Sequence, residues 1–500
     1  MLFEFGLKKE KLEEKSPENK KNEFEYFENN IGYESAFSKR LLLDNPKDIF
    51  YESDNYMLFD KENPKMYVKD IVKLSNQEKH LFKDFFEFIK DLTTTNNESD
   101  LQKNYENFLF ENKIKLDKEQ HKYIYKLINY EINGFGPLTP LIEDKDKIEE
   151  ITVIGLGSEN PVYCYLANVG WTKTNFYFTN EEYVKELINK MSRNIGRQIS
   201  LNYPLLNASL PDGSRLNAII EPISNKNPLI TLRKFKYNPL TPIDLIKFDT
   251  FNIELATFLW LSMLTDSNIL ISGNTGSGKT TTLNAIFSFV PKNERIIVCE
   301  ETPEVNISHE HKVRLKIDEK KNIGMNELIV STLRMRPDRL IVGEIRTKDE
   351  VQSFIDTILA GQGKGSCATF HGLTVDDSIE RLLKLGTLEQ DLNALDLIIV
   401  QRRWNTINLE TKKQIEIRKI VEIAEIIDNK PQTIYKYNFE NNIWDKINES
   451  KRIKNKIEIV FNKKFDEVFD KYKLRLEKLQ FKKLNITEFF EKVNDLWELK

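Results

Sequence analysis

Cysteine is scarce in this chain of 500 residues: there are three, Cys164, Cys299 and Cys367, far apart and without CxxC spacing. That scarcity argues against a disulfide framework or a zinc knuckle and leaves reduced, buried thiols as the expectation. Long apolar runs are missing too. The stretch Leu255–Ser272 is broken by Thr, Asp, Ser and Asn, and nothing approaches the roughly 20 residues of a membrane span. The opening residues Met1–Glu10 lack the basic flank and long apolar core of a secretory signal. A cytoplasmic protein that reaches a membrane only through a partner is therefore expected. An excess of one charge is also absent, since 74 Lys and Arg face 78 Asp and Glu for a net charge of −4. The chain as a whole is no electrostatic glove for nucleic acid, although a local patch stays open.

What is present is enough apolar material for real cores, 40% of residues, and a length that suggests three or four domains at about 150 residues each. Four segments are expected. Residues 1–100 form a polar N-terminal extension rich in Lys, Glu and Asn. Its one strong helix is capped by Ser75 and Glu78 and striped by Leu81, Phe85, Phe88, Ile89 and Leu92, before a linker at Thr93–Asp100. Residues 101–236 read as an α+β domain. A helix there ends near Ile132 at Gly134, and short strands lie at Ile148–Ile154, Val162–Leu166 and Asn175–Phe178. A helix capped by Thr179 and Glu182 comes next, then a hairpin around Pro211-Asp-Gly-Ser214 and a strand at Leu229–Phe235. Residues 237–430 alternate strands and helices as a RecA-like α/β core does, with strands at Ile269–Ser272, Arg295–Cys299, Arg339–Val342 and Ser366–Thr369. Residues 431–500 form a C-terminal strand and helical segment. Of its two charged amphipathic helices, one carries Val468, Phe469, Tyr472, Leu476 and Leu479 and the other Phe490, Val493 and Trp497. Packing against the body is the favoured reading of that pair over a partner-binding tail.

The most informative feature is Gly273-Asn-Thr-Gly-Ser-Gly-Lys-Thr280, directly after the apolar run Asn268–Ser272. This is a P-loop, GxxxxGK[ST], in a strand–loop–helix setting. The glycines let backbone N–H groups turn inward around phosphates, Lys279 reaches the β and γ oxygens, and the Thr280 hydroxyl can hold Mg²⁺. Leu283, Ile286, Phe287 and Val290 share one face of the next helix, whose N-terminus also points at the nucleotide. The expected ligands are ATP and Mg²⁺, with Gly273, Asn274, Thr275, Gly276, Ser277, Gly278, Lys279, Thr280 and Thr281 as nucleotide contacts.

Phosphoryl transfer to water further needs charge neutralisation, a placed metal and a positioned water. Arg339-Leu-Ile-Val-Gly-Glu344 reads as an apolar strand with an acid at its carboxyl end, and Glu344 would hold Mg²⁺ through water. A strand also runs into Glu300-Glu-Thr-Pro-Glu304, three acids that repel one another unless a cation or an attacking water occupies them. One of these acids is expected to orient the water, against the alternative of a solvated acidic turn. His371 ends a strand after a Gly-rich turn and can sense a γ-phosphate, although a lone histidine is more often structural. Arg215 and Arg233 sit on strands of the preceding domain. Taken alone they read as exposed strand arginines.

Together these segments resemble the type II/type IV secretion-system ATPase superfamily, over roughly residues 105–430. Glu300–Glu304 resembles that family's acidic "Asp box", with Glu300 at its catalytic position and Glu301 in place of the usual Asp. Leu333–Arg346 is similar to its Walker B signature and Ala368-Thr-Phe-His371 to its "His box". Leu210–Asn217 and Ile230–Phe235 resemble the segments that supply γ-phosphate-sensing arginines. The resemblance thus implies catalytic roles for Lys279, Glu300, Glu344, His371, Arg215 and Arg233, with Arg193 and Arg197 as weaker candidates. The absence of a CxxC…CxxC insert argues against the zinc-bearing bacterial secretion branch, and Phe135–Leu138 with the C-terminal helical pair most resembles archaeal pilus and archaellum motors and the related tight-adherence ATPases. The resemblance also implies a homo-hexameric ring in which ATP binding and hydrolysis rotate one domain against another. The ring would act on an integral membrane platform protein and require no nucleic acid. The competing readings are a RecA-type nucleic-acid translocase or helicase, which would show a basic or aromatic stripe, and a ring that binds ATP only as a scaffold.

Overall fold

The computed structural model describes residues 31–33, 49–60, 64–69, 76–90 and 98–498, with short breaks at 145–146, 167–168, 226, 236–237, 319–320, 362–364 and 408–413. The chain divides into two compact units, one of residues 1–210 and 216–233, the other of residues 211–215 and 234–500. The expected cap at Ser75, Leu92 of the expected apolar stripe and most of the expected linker at 93–100 lie outside the described residues.

In the first unit the strands are β1 (Ile31–Tyr33), β2 (Ile49–Glu52), β3 (Tyr56–Phe59), β4 (Lys65–Val68), β5 (Ile148–Val153), β6 (Tyr163–Leu166), β7 (Gly170–Thr174), β8 (Phe176–Phe178), β9 (Leu205–Ser209), β10 (Arg215–Ile219) and β11 (Leu229–Arg233). A nine-stranded sheet runs in the order β2-β3-β4-β7-β6-β5-β11-β10-β9, while β1 pairs with β8. This departs from the expectation of a helical N-terminal extension separate from the domain after residue 100. Strand β4 pairs in parallel with β7, so β2, β3 and β4 extend the sheet formed by β5–β7 and β9–β11. Tyr56 and Leu58 of β3 are buried, and in β4 Met66, Tyr67 and Val68 are all buried. Four-residue strands in a Lys- and Asn-rich context carry too short an alternation to stand out in the sequence. A second departure is local. The helix Glu181–Ser192 is capped by Asn180, whose Oδ1 accepts from the amides of Glu182 and Tyr183, not by Thr179. Asn180 stands next to the first helical residue, where a side-chain oxygen reaches the N2 and N3 amides.

The second unit is built on β12 (Ile269–Gly273), β13 (Ile296–Glu300), β14 (Lys312–Lys316), β15 (Arg339–Val342), β16 (Ser366–Phe370), β17 (Leu397–Ile407), β18 (Gln414–Ile427), β19 (Lys430–Asn438) and β20 (Ile443–Lys446). Its sheet order is β14-β13-β15-β16-β12-β17-β18-β19-β20. In that order the pairing is parallel from β14 across to β17 and antiparallel from β17 to β20. Strands β12, β13, β15 and β16 are buried at every position, as expected where helices cover both faces of a parallel sheet. The fold class is thus α/β with a parallel P-loop core, preceded by a smaller α+β unit.

The hairpin β18–β19 crosses the boundary expected at residue 430. Its loop is Asp428-Asn429, with φ of 50° and 64°. Two residues at positive φ suit the right-handed twist of a tight hairpin, and Asp and Asn tolerate that region better than most side chains.

Three helices complete the unit, Arg452–Phe461, Phe465–Leu479 and Ile486–Glu498. They pack on the body. Val468, Tyr472, Leu476, Phe489 and Val493 belong to the same core as Trp260 and Phe289. Buried carboxylates fix the first of them. Glu425 accepts from the amides of Lys451 and Arg452 at its N-terminus. Asp396 pairs with Arg452 at 2.6 Å and Lys456 at 2.8 Å while accepting from the Asn268 amide that opens β12. These C-terminal helices are therefore tied to the strand that carries the P-loop.

Candidate functional site

The site grows from the carboxyl ends of β12, β13, β15 and β16. After β12 the chain turns through Gly276 (φ 73°) and Gly278 (φ 95°), and the latter caps the helix Lys279–Phe287. Gly273 tolerates no side chain, because a Cβ there would collide with the Gln401 carbonyl oxygen on β17. Lys279 is buried, and its ammonium donates to the carbonyls of Gly273 (3.1 Å) and Asn274 (3.3 Å) across the loop. Burial pulls its pKa down, and the neighbouring Glu344 and Glu304 oppose that shift. The Ser277 hydroxyl is buried in the loop without a hydrogen-bond partner. An orphaned donor among glycines and a lysine fits a phosphate cradle.

Glu344, just past β15, is a hub. One carboxylate oxygen meets Nε2 of His371, which comes directly after β16, and the other accepts from Nε of Arg346 at 2.7 Å. Burial would raise this carboxyl, but Arg346, His371 and Lys279 together hold it below the ordinary range. His371 is shifted down by burial and by Lys279, against the pull of Glu344. Arg346 also pairs with Glu301, so four residues around Lys279 form one charged network.

Glu300 ends β13 and behaves differently. It is 3% exposed, and Oε1 accepts from the amides of Glu304 and Val305, both at 2.7 Å. Desolvation pushes its pKa up to about 7 although those two amides and Arg314 pull the other way. A carboxyl so poised can take up a proton near neutrality. Gly343 keeps the approach open, since a Cβ there would lie 3.0 Å from Glu300 Cγ.

Glu304 is the acid that touches the P-loop. Its Oε2 accepts from the Thr280 hydroxyl at 3.2 Å and its Oε1 lies 3.1 Å from the Arg215 guanidinium. Residues 211–215, the turn after β9 together with Arg215, the first residue of β10, belong with the second unit, and Ser214 Oγ accepts from the Phe235 amide. Arg215 is thereby brought to the P-loop helix. Arg233 belongs to the first unit, opposite Glu150 in the antiparallel pairing of β11 with β5. Arg197 donates to the Asn207 carbonyl, and Arg193 lies in a short 3-10 turn after the helix Glu181–Ser192.

Sequence reasoning treats Glu304 only as one of three acids; the single hint is its place at the end of the Glu-Glu-Thr-Pro-Glu run. It misses the support from β17 altogether. Gln401 accepts from the Thr282 hydroxyl at 2.7 Å. Asn274 exchanges two 2.9 Å hydrogen bonds with the main chain of Arg403, prolonging the β12–β17 pairing into the loop. A Gln-Arg-Arg directly after the apolar Leu397–Val400 is the signal that could have found it.

Among the described residues no group of three or more His, Cys, Asp or Glu side chains is arranged to hold a metal. The hydroxyl of Thr280 with the carboxylates of Glu304 and Glu344 is instead a set of hard oxygen donors, suited to Mg²⁺ carried in with substrate phosphates. Among the same residues no helix is long and apolar enough to cross a membrane.

A model of the type II/IV secretion system protein family matches residues 164–459. An uncharacterized protein of Methanocaldococcus jannaschii is 34% identical over 279 residues, 54% of this chain and 49% of that protein. The chain therefore spans about half the length of that relative. The type IV secretion system protein VirB11 of Bartonella henselae is 28% identical over 258 residues, 41% of this chain and 72% of that protein. The crystal structure of the VirB11 ATPase from the Brucella suis type IV secretion system, in complex with sulphate, covers 59% of this chain and 96% of its own at 23% identity, with a TM-score of 0.30.

Proposed function

This chain belongs to the type II/IV secretion system protein family, and from that premise we propose that it is an ATPase whose turnover powers a secretion system or a type IV pilus-like filament at the cytoplasmic membrane. The observation that carries the reading is the buried Lys279 lying within the charged network of Glu344, His371 and Arg346 at a phosphate cradle. A binding-only scaffold has no need of a desolvated carboxyl such as Glu300 beside that network.

In this reading the P-loop amides and Lys279 bind and orient the triphosphate. A water attacks the γ-phosphorus, its proton passes to Glu300, and the bond to the β–γ bridging oxygen breaks to release ADP. Thr280, Glu304 and Glu344 would hold Mg²⁺, which supplies charge neutralisation on the phosphates. Glu344 keeps His371 oriented, and Arg215 and Arg233 neutralise charge that develops on the γ-phosphoryl group. The protomers form a homo-hexamer that sits at the inner face of the membrane by docking an integral platform protein. The branch we favour is that of archaeal pilus and archaellum motors with the tight-adherence ATPases.

Light scattering of the full chain with and without a non-hydrolysable ATP analogue tests the ring. A nucleotide-stabilised hexamer is expected, and a monomer under every condition would overturn that part of the reading. The arginines are tested separately. Arg215→Ala or Arg233→Ala should spare nucleotide binding yet slow hydrolysis at least about tenfold, or ~1.4 kcal/mol of barrier. An unchanged kcat in both variants and in their double would remove the role.

A further inference from the structure

We propose that Arg403, on β17, is a polyphosphate contact of the P-loop, a role that rests on the nucleotide-binding reading above. Its main chain is held by the side chain of Asn274, the second residue of the loop, through hydrogen bonds of 2.9 Å in each direction. That clamp sets the guanidinium beside Gly276, where a Cβ would stand 2.8 Å from Nη1 and 3.0 Å from Cζ. Gly276 has φ 73°, a conformation that presents its amide on the turn of the cradle and leaves no side chain between loop and arginine.

The charges around Arg403 are unbalanced. Among the described residues its ion-pair partner is Glu416 on β18, at a long 3.4 Å. Glu416 is held more tightly by Arg418, at 2.7 Å. Among the described residues two guanidiniums thus share one carboxylate next to the loop, and the Nε of Arg418 is buried without a hydrogen-bond partner. Arg403 holds the weaker share and keeps 39% of its side chain exposed, so it can exchange Glu416 for an anion. A guanidinium donates two parallel bonds to a phosphate oxygen pair, which an ammonium cannot do. The ligand class is the polyphosphate of a nucleoside di- or triphosphate, contacted by a residue of a strand that sequence motifs do not mark.

Because the clamp to Asn274 uses only backbone atoms of Arg403, Arg403→Ala removes the guanidinium and leaves the loop support in place. The experiment is equilibrium titration of the full-length wild type, Arg403→Ala, Arg403→Lys and Lys279→Ala with ATP and with ADP, alongside thermal melts of the nucleotide-free proteins. Arg403→Ala should melt near wild type yet bind both nucleotides about tenfold or more weakly, and Arg403→Lys should recover only part of the loss. Glu416→Gln, which releases Arg403 from its partner, should bind at least as tightly as wild type. Wild-type affinity of Arg403→Ala for both nucleotides, with binding lost in Lys279→Ala, would overturn the role of Arg403 and leave the ATPase reading standing. A wild-type protein that binds neither nucleotide would overturn both. Equal loss in the Ala and Lys variants together with a lowered melting temperature would mark Arg403 as a packing residue and likewise refute the contact.

Discussion

Lys279→Ala should bring phosphate release down at least about 10²–10³-fold, to the level of the background. The side chain is buried and spans the loop between two carbonyls. Alanine leaves the backbone amides and the Asn274 clamp intact but removes the positive charge that neutralises the γ-phosphoryl oxygens as they gain negative charge. The fold should survive, because the helix Lys279–Phe287 is anchored by Leu283, Ile286 and Phe287 in the core. Phosphate release measured beside a thermal melt separates the two effects. Wild-type turnover in this variant would refute the assignment of the P-loop as the catalytic centre.

Glu300→Gln carries the second large effect, and it has a signature beyond activity. The amide oxygen of Gln can still accept from the Glu304 and Val305 amides, so the loop after β13 should keep its shape. What is lost is the capacity to take a proton, and kcat should drop about 10²–10³-fold with little change in KM. The raised pKa also makes stability depend on pH. Below the ordinary value of 4.5 the carboxyl is neutral in both folded and unfolded chains. As pH rises towards the folded value of about 7 the unfolded chain ionises first, so stability falls across that window and then levels. Relative to Glu300→Gln, the wild type should lose roughly 3 kcal/mol between about pH 4.5 and about pH 7. Denaturant melts at several pH values read this directly. A constant difference between the two proteins over that range would show that the carboxyl is not desolvated as described, and an unchanged kcat would remove it from catalysis.

These two residues also show how unevenly the site is legible in the sequence. Lys279 stands out because a P-loop is contiguous: strand, glycines, lysine and helix lie close together in the chain, and the backbone alone forms the cradle. Glu300 is singled out through a resemblance of motif, but its chemistry comes from burial behind Gly343 and from two amides further along its own loop. Glu304 and Arg403 escape for a common reason. Glu304 stands 24 residues from Thr280, and Arg403 stands 129 residues from Asn274. No local pattern reports that either pair touches.

The amino-acid sequence by itself determined the alternation of apolar strands and amphipathic helices in residues 237–430, the phosphate cradle, and the acids and histidine that end its strands. Each is encoded by side-chain periodicity or by glycine at a turn, and such signals act over a few residues. Only the tertiary structure decided that β2, β3 and β4 join the sheet of the first unit, and that the C-terminal helices are tied to β12 through Asp396. It also decided which carboxylate meets which cation. Those outcomes depend on desolvation and on pairings between distant strands, where the stabilising partner exists only once the chain has folded.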